Sequence, residues 1–256
     1  MTERVIAVIP ARYASQRLPA KSLIDLLGKP MVQRVYEQVK KATLPTQVVV
    51  ATDDERIAEV VRGFGGTVVM TSPQIRSGSD RVSAVAGEVA GEIFVNVQGD
   101  EPLIAPEMID EAVRVVLDDP SAEVGTLAKK IESLDELLNP SIVKVVFDDH
   151  GAALYFSRSV IPFVRDTQDQ SQWLHRHTFY KHIGIYVFRK EFLLQYTTMP
   201  ESSLERAERL EQLRILENGH AIRVGVTQYD SLPIDTHEDV QRVIDRLKRQ
   251  EVSSHS

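Results

Sequence analysis

Apolar positions in this chain recur with two different periods, and the two alternate. Val5-Ile6-Ala7-Val8-Ile9, a run of mostly β-branched residues closed by Pro10-Ala11, predicts a buried strand. Pro30 followed by Met31, Val32, Val35, Tyr36 and Val39 predicts a helix that starts at the proline. The alternation continues with a strand over 47–52, a helix over 54–62, a strand over 67–70, a helix over 80–90, a strand over 93–97 and a helix over 106–117. Such a rhythm implies an α/β fold whose sheet is mostly parallel, with helices on both faces.

From about Asn139 the pattern changes. Residues 142–147 and 152–157 read as two strands around an Asp148-Asp149-His150-Gly151 turn. The polar stretch 166–172 reads as an exposed loop, and 183–188 as a further strand. Residues 139–200 are therefore expected to form an insertion in a single domain whose core is 1–138 and 201–250. Beyond it, Ser202 and Glu205 make a capping box for one helix with Leu204, Ala207, Leu210 and Leu213 on its apolar face, ending at Asn218-Gly219. A strand over 221–227, a helix over 236–248 and a frayed tail over 252–256 complete the expected order.

Composition narrows the function classes. The 256 residues carry a net charge of −7, which argues against a broad nucleic-acid footprint, and no cysteine, which removes disulfides, thiolate metal sites and a cysteine nucleophile. No apolar run reaches membrane-spanning length and no signal-like segment opens the chain, so a cytoplasmic enzyme without a membrane partner is expected.

Against that acidic background, the loop after the first strand is locally cationic: Arg12, Ser15, Arg17 and Lys21 follow one another at the carboxyl edge of the expected sheet. Ligands of open α/β sheets bind at that edge. Neither G-x-G-x-x-G nor G-x-x-x-x-G-K-[ST] is present, so phosphate would be held by side chains, with forks from the arginines and a point charge from the lysine. Asp100, in Gln98-Gly99-Asp100-Glu101-Pro102, stands at the same edge, where it would either hold Mg²⁺ together with substrate phosphates or cap a local turn. Asp235 also follows a strand and precedes a helix, and by position alone an N-cap is the preferred reading. Ser77-Gly78-Ser79-Asp80-Arg81 offers hydroxyls and a close backbone approach for a nucleobase, and equally a helix start capped by Ser79.

The segments PARYASQRLPAK, ATDDERI, GGTVVMTSP, SGSDR, NVQGDEPLI, LYFSRSVIPF, YKHIGIYVFRKEFL, LEQLRILENG and IDTHED, in order from about residue 4 to 245, resemble the 3-deoxy-manno-octulosonate cytidylyltransferase family. That family makes CMP-Kdo from CTP and the sugar acid Kdo. The resemblance implies a Rossmann-like nucleotide-diphospho-sugar transferase fold with a dimerisation and sugar-binding subdomain, a homodimer, and a place in lipopolysaccharide synthesis. It further implies that Arg12, Ser15, Arg17 and Lys21 cradle the CTP phosphates and that Ser77, Gly78, Asp80 and Arg81 face the cytosine. Asp100 and Asp235 would bind Mg²⁺, the implied cofactor. With Arg17 and Lys21 they would form the catalytic set. Gln98, Arg158, His182, Tyr186, Glu211 and Gln212 would hold the sugar acid. Ser159 and Ile161-Pro162 share the loop of Arg158, where packing is an equal reading. His182 is read as a hydrogen-bonding group in preference to a general base, and His175 and His177 are discounted as a metal pair.

Two positions depart from the family pattern: Ser79 replaces Thr, and Leu232-Pro233-Ile234 precedes Asp235 where Gly-Val is usual. Glu101 favours Kdo over its 8-amino analogue, for which Gln is expected. Sialic acid as substrate, and a catalytically silent nucleotide-binding protein, are the alternatives. The intact set Arg17, Lys21, Asp100 and Asp235 weighs against the silent reading.

Overall fold

The structure is a computed structural model, and it describes residues 3–14, 18–75, 77–230 and 232–253. In chain order the regular elements are β1 (Val5–Ala11), α1 (Met31–Val39), β2 (Gln47–Thr52), α2 (Glu55–Gly63), β3 (Val68–Met70), α3 (Gly78–Glu88), β4 (Ile93–Asn96) and α4 (Pro106–Leu117). There follow β5 (Val124–Lys130), α5 (Leu134–Leu138), β6 (Lys144–Phe147), β7 (Ala153–Ser157), α6 (Trp173–Arg176), β8 (Tyr180–Arg189), α7 (Lys190–Tyr196), α8 (Ser203–Glu208), α9 (Leu213–Glu217), β9 (Ile222–Thr227) and α10 (His237–Ser253). No helix among the described residues is long and apolar enough to cross a membrane.

Two compact units divide the chain. The first is Met1–Asp110 with Asp230–Ser256, and the second is Glu111–Tyr229. The region expected as an insertion, 139–200, lies wholly in the second.

In the first unit the strands run in the order β3-β2-β1-β4, all parallel, as the alternating pattern predicts. Val5 to Ile9 of β1 are almost fully buried, because β1 is central and covered on both faces; hence its continuous apolar run. Helix α1 begins after Pro30, which sits at the N-cap. Asp54 caps α2 by accepting from the Arg56 N–H at 3.0 Å. The buried Asp110 ties α4 to the chain after α1: its carboxylate accepts the N–H groups of Thr43 and Leu44 and the Thr43 hydroxyl at 2.7–3.0 Å.

The second unit is organised around β5, which pairs antiparallel with β8 and parallel with β9, while β6 and β7 form the expected antiparallel pair. The apolar pattern does not announce β5. Its Val-Gly-Thr-Leu-Ala-Lys-Lys sequence has weak strand character, yet its first five residues are buried. Gly125 explains part of this: a Cβ there would lie 2.8 Å from Val116 and 3.1 Å from Val115, so the glycine lets α4 approach the strand closely.

A second correction concerns residues 202–218. The expected single helix is two, α8 and α9, broken at Arg209, which adopts the left-handed conformation at φ 55°. The capping residue is as expected, with the Ser202 N–H donating to the Glu205 carboxylate at 3.1 Å. Tertiary bonds offset the break, since the Arg158 guanidinium takes up the carbonyls of Glu208 and Arg209 at 2.8 and 3.4 Å. Helix propensity is a weak preference that such contacts override.

Asp110→Ala should lower the stability of the protein by about 2 kcal/mol, because it removes the shared acceptor of two backbone N–H groups and the Thr43 hydroxyl. Equilibrium unfolding in urea checks this, and an unchanged midpoint would contradict it.

Candidate active site

The first unit brings three distant segments of the chain to one point. Lys21, in a single turn of 3₁₀ helix after β1, extends its ammonium to Asp100 Oδ2 at 2.8 Å and to Asp235 Oδ1 at 3.0 Å. The lysine side chain is 13% exposed, against 29% for Asp100 and 37% for Asp235, so the carboxylates face outward and the ammonium sits beneath them. An open cleft of about 240 Å³ is lined here by Pro10, Arg12, Ala14, Lys21, Ser22, Met31, Gln98, Gly99 and Asp100.

Each carboxylate is placed by its backbone. The turn Gln98-Gly99-Asp100-Glu101 leaves β4 so close to β1 that a Cβ on Gly99 would lie 2.3 Å from the Pro10 carbonyl oxygen, and only glycine fits. Asp100 accepts the Ile234 N–H on its carbonyl at 2.9 Å, which joins the loop after β4 to the segment before α10. Ile234 is fully buried, so Pro233 does not divert the chain from this path.

Sequence position alone favours Asp235 as a helix cap, and the structure corrects this. The capping is done by its neighbours: Thr236 Oγ1 accepts from the Asp239 N–H at 3.3 Å, while Asp239 Oδ2 accepts the N–H groups of Asp235 and Thr236 and the Thr236 hydroxyl at 2.8–2.9 Å. The Asp235 carboxylate is thereby turned to Lys21. The T-x-x-D spacing of Thr236 and Asp239 is the signal that could have revealed this. Burial of Asp239 would raise its pKa, but the bonds from Asp235 and Thr236 and the charge of Arg242 outweigh it and hold the pKa below the ordinary 3.8.

Ser77, not Ser79, caps α3, its hydroxyl accepting the Asp80 N–H at 2.9 Å. Gly78 lies against the ends of β1 and β4, where a Cβ would come within 3.5 Å of Asn96 Nδ2 and 3.9 Å of Pro10 Cγ. The loop expected to face the base is thus next to the cationic one. Asp80 is half-buried. Arg81 is fully buried and directs its guanidinium inward, onto Asp53 Oδ2 at 2.8 Å, the Thr71 hydroxyl and the Ile75 carbonyl at 3.4 Å. It shapes the loop between β3 and α3 from below, and Asp53 is a member of this constellation that spacing did not single out. Ser15 and Arg17 lie outside the described residues.

The residues expected at the sugar acid, Gln98 apart, lie in the second unit. His182 and Tyr186 are neighbours on β8, with ring centroids 5.3 Å apart, and Phe156 meets His182 edge-on at 5.1 Å. Burial lowers the His182 pKa to about 3, so the imidazole is neutral. Burial pushes the Tyr186 phenol well up, aided by the nearby Tyr196 and Glu211. Gln212 is buried at the start of α9 and Glu211 beside it is exposed.

Arg158 bonds to carbonyl oxygens of Pro140, Glu208 and Arg209, and its own carbonyl is held by Lys144. That lysine is fully buried, donating to the carbonyls of Asn139 and Ile142 at 2.8 Å and of Arg158 at 3.0 Å. Its pKa is lowered by burial and by the charge of Arg158. Ser159 is exposed, and the Ile161-Pro162 peptide is cis.

Comparison with known proteins assigns the class first. A family model described as Cytidylyltransferase matches residues 6–222. At 12% identity, 4-diphosphocytidyl-2C-methyl-D-erythritolsynthase from Anaerococcus prevotii shares the fold with a TM-score of 0.64 over 96% of this chain and 99% of its own. Much closer is a solved CMP:2-keto-3-deoxy-manno-octonic acid synthetase complexed with CTP, at 40% identity and TM-score 0.90, covering 96% of this chain and 99% of that one. The 3-deoxy-manno-octulosonate cytidylyltransferase of Geobacter sulfurreducens is 52% identical over 95% of this chain and 99% of its own. The chain belongs to the cytidylyltransferase family and, within it, to the 3-deoxy-manno-octulosonate cytidylyltransferases.

Because the folded Asp239 carboxyl titrates below 3.8, its ionised form favours the folded state. That stabilisation is complete above the unfolded value and is lost as pH falls through the folded one. Asp239→Asn should therefore destabilise the protein near neutrality and flatten the fall of its unfolding midpoint with acid. Parallel slopes for both proteins below about pH 4, where an ordinary carboxylate protonates, would contradict the assignment.

Proposed function

We propose that this protein activates Kdo with CTP, giving CMP-Kdo and pyrophosphate. The observation that carries the reading is the Asp100–Lys21–Asp235 bridge, a pair of outward carboxylates on one half-buried cation, standing beside a cleft that also holds Arg12. The names of the relatives, and the CTP bound to the solved neighbour, supply the substrates.

In this reading the anomeric 2-hydroxyl of Kdo attacks the α-phosphorus of CTP in line. A new O–P bond forms as the hydroxyl gives up its proton to solvent, the bond from the α-phosphorus to the bridging oxygen breaks, and pyrophosphate leaves with the electron pair. The protein forms no covalent bond to the substrate; its part is to position the reactants and place charge. Arg12 and Arg17 fork onto phosphate oxygens, and Lys21 supplies a fixed positive charge at the floor. Ser15 joins this loop, while Ser77, Gly78 and Asp80, supported from beneath by Arg81, meet the cytosine. Arg158, His182, Tyr186, Glu211, Gln212 and Gln98 serve the sugar acid. With a pKa near 3, His182 is a hydrogen-bonding group and a poor base at neutral pH.

Asp100 and Asp235 also suit a magnesium ion. The Lys21 ammonium already occupies a cation's place between them, and Mg²⁺ takes one or two carboxylates with substrate phosphates and water. Among the described residues no third acidic or histidine ligand joins them, which leaves the remaining positions to substrate and solvent. When bound there, Mg²⁺ supplies neutralisation of phosphate charge. A homodimer and a cytoplasmic location belong to the same proposal, on the ground of the family alone.

Pyrophosphate release with CTP and Kdo tests the reading. Release is expected with this pair, abolished by EDTA and restored by Mg²⁺. Release only with 8-amino-Kdo or sialic acid would change the substrate, and none with any sugar acid would leave a nucleotide-binding protein. Asp100→Asn and Asp235→Asn should each lower kcat by about a hundredfold or more while the melting temperature holds, as loss of a charge-stabilising group requires. Near-normal turnover in either variant would remove that residue from the mechanism.

A further inference from the structure

Thr126, in β5, makes contacts that its packing does not require. It is fully buried, and its Oγ1 lies 2.7 Å from the Ile185 carbonyl oxygen, 3.2 Å from the Ile183 carbonyl oxygen and 2.9 Å from His182 Nε2. Two carbonyls reach one hydroxyl because the pairing of β5 with β8 slips here: Thr126 is opposite Tyr186, whereas Leu127 is opposite Ile183. The extra residues of β8 bulge, and the threonine hydroxyl fills the irregularity.

The hydroxyl has one proton and the carbonyls have none. If that proton pointed at His182, two oxygens would face each other at 2.7 Å with no hydrogen between them. The proton therefore goes to Ile185, and Oγ1 can only accept from the imidazole. We infer that Thr126 is a positioning residue which fixes His182 as the Nε2–H tautomer, leaving Nδ1 with its lone pair as an acceptor for a substrate hydroxyl. The Phe156 and Tyr186 rings hold the plane of the imidazole, and Thr126 holds its protons. The substrate part rests on the function proposed above, in which His182 meets the sugar acid; the tautomer part does not.

The inference predicts a protein whose acceptor at this position is set from β5 rather than by the ligand. Thr126→Val keeps the branched shape and removes the hydroxyl; Thr126→Ser keeps the hydroxyl. The test is ¹⁵N-histidine NMR of the full chain together with steady-state kinetics. In the unsubstituted protein and in Thr126→Ser, His182 should show a protonated Nε2 and an unprotonated Nδ1. In Thr126→Val the tautomers should mix, and KM for Kdo should rise by about five- to tenfold, the loss of one well-made hydrogen bond, with KM for CTP unchanged. A protonated Nδ1 in the unsubstituted protein would overturn the inference, and so would an unaltered tautomer in Thr126→Val. A mixed tautomer with unchanged KM for Kdo would overturn the positioning role. Should Thr126→Val not fold, the unsubstituted protein and Thr126→Ser still decide the tautomer. Absence of any turnover with Kdo would count against the proposed substrate and leave the tautomer readout to judge Thr126.

Discussion

The ammonium of Lys21 between Asp100 and Asp235 is the contact that fixes how the first unit presents its two carboxylates. Two carboxylates turned toward one point repel unless a cation stands between them. Here the cation comes from the protein, from a residue 79 positions before one partner and 214 before the other. The bridge asks much of the backbone. The strand order must bring β4 beside β1, Gly99 must be without a side chain, and Ile234 must pair with the Asp100 carbonyl. Asp239 must also accept the local N–H groups of the Asp235 loop, since otherwise the Asp235 carboxylate would satisfy them itself.

The second unit handles charge in a different way. Lys144 and Arg158 are adjacent cations whose side chains donate to backbone carbonyls at chain turns. Carbonyls left open at a broken helix need donors, and a long cationic side chain can serve several at once. Arg209 can therefore leave helical geometry, and α8 can end without a glycine. Burial in the same unit favours the neutral form of His182, which suits an uncharged hydrogen-bonding group and not a proton carrier.

Much of the fold was legible because burial on both faces of a parallel sheet writes itself as continuous apolar strands. β1, β2 and β4 are of this kind, and the apolar pattern locates all three. β5 was not legible: Gly125 and Thr126 are there for reasons outside the strand, one to admit α4 and the other to fill the bulge opposite β8. The break at Arg209 was hidden for the same reason, since the donor that permits it is Arg158, far earlier in the chain. In the candidate site, the motifs placed Lys21, Asp100 and Asp235 without saying that they touch. Position alone suggests that Asp235 caps the last helix, and it is Thr236 and Asp239 that take that part. Arg81 and Ser77 could be read as ligand groups, but only the folded chain shows how far the protein already uses them.

The central claim is that Asp100 and Asp235 act as one cation-binding pair completed by nucleotide. Electron paramagnetic resonance of Mn²⁺, standing in for Mg²⁺, measures this directly. With CTP present, the protein should take up Mn²⁺ beyond what CTP alone binds, and a variant with both aspartates changed to Asn should lose that uptake. Equal uptake by the two proteins would contradict the account.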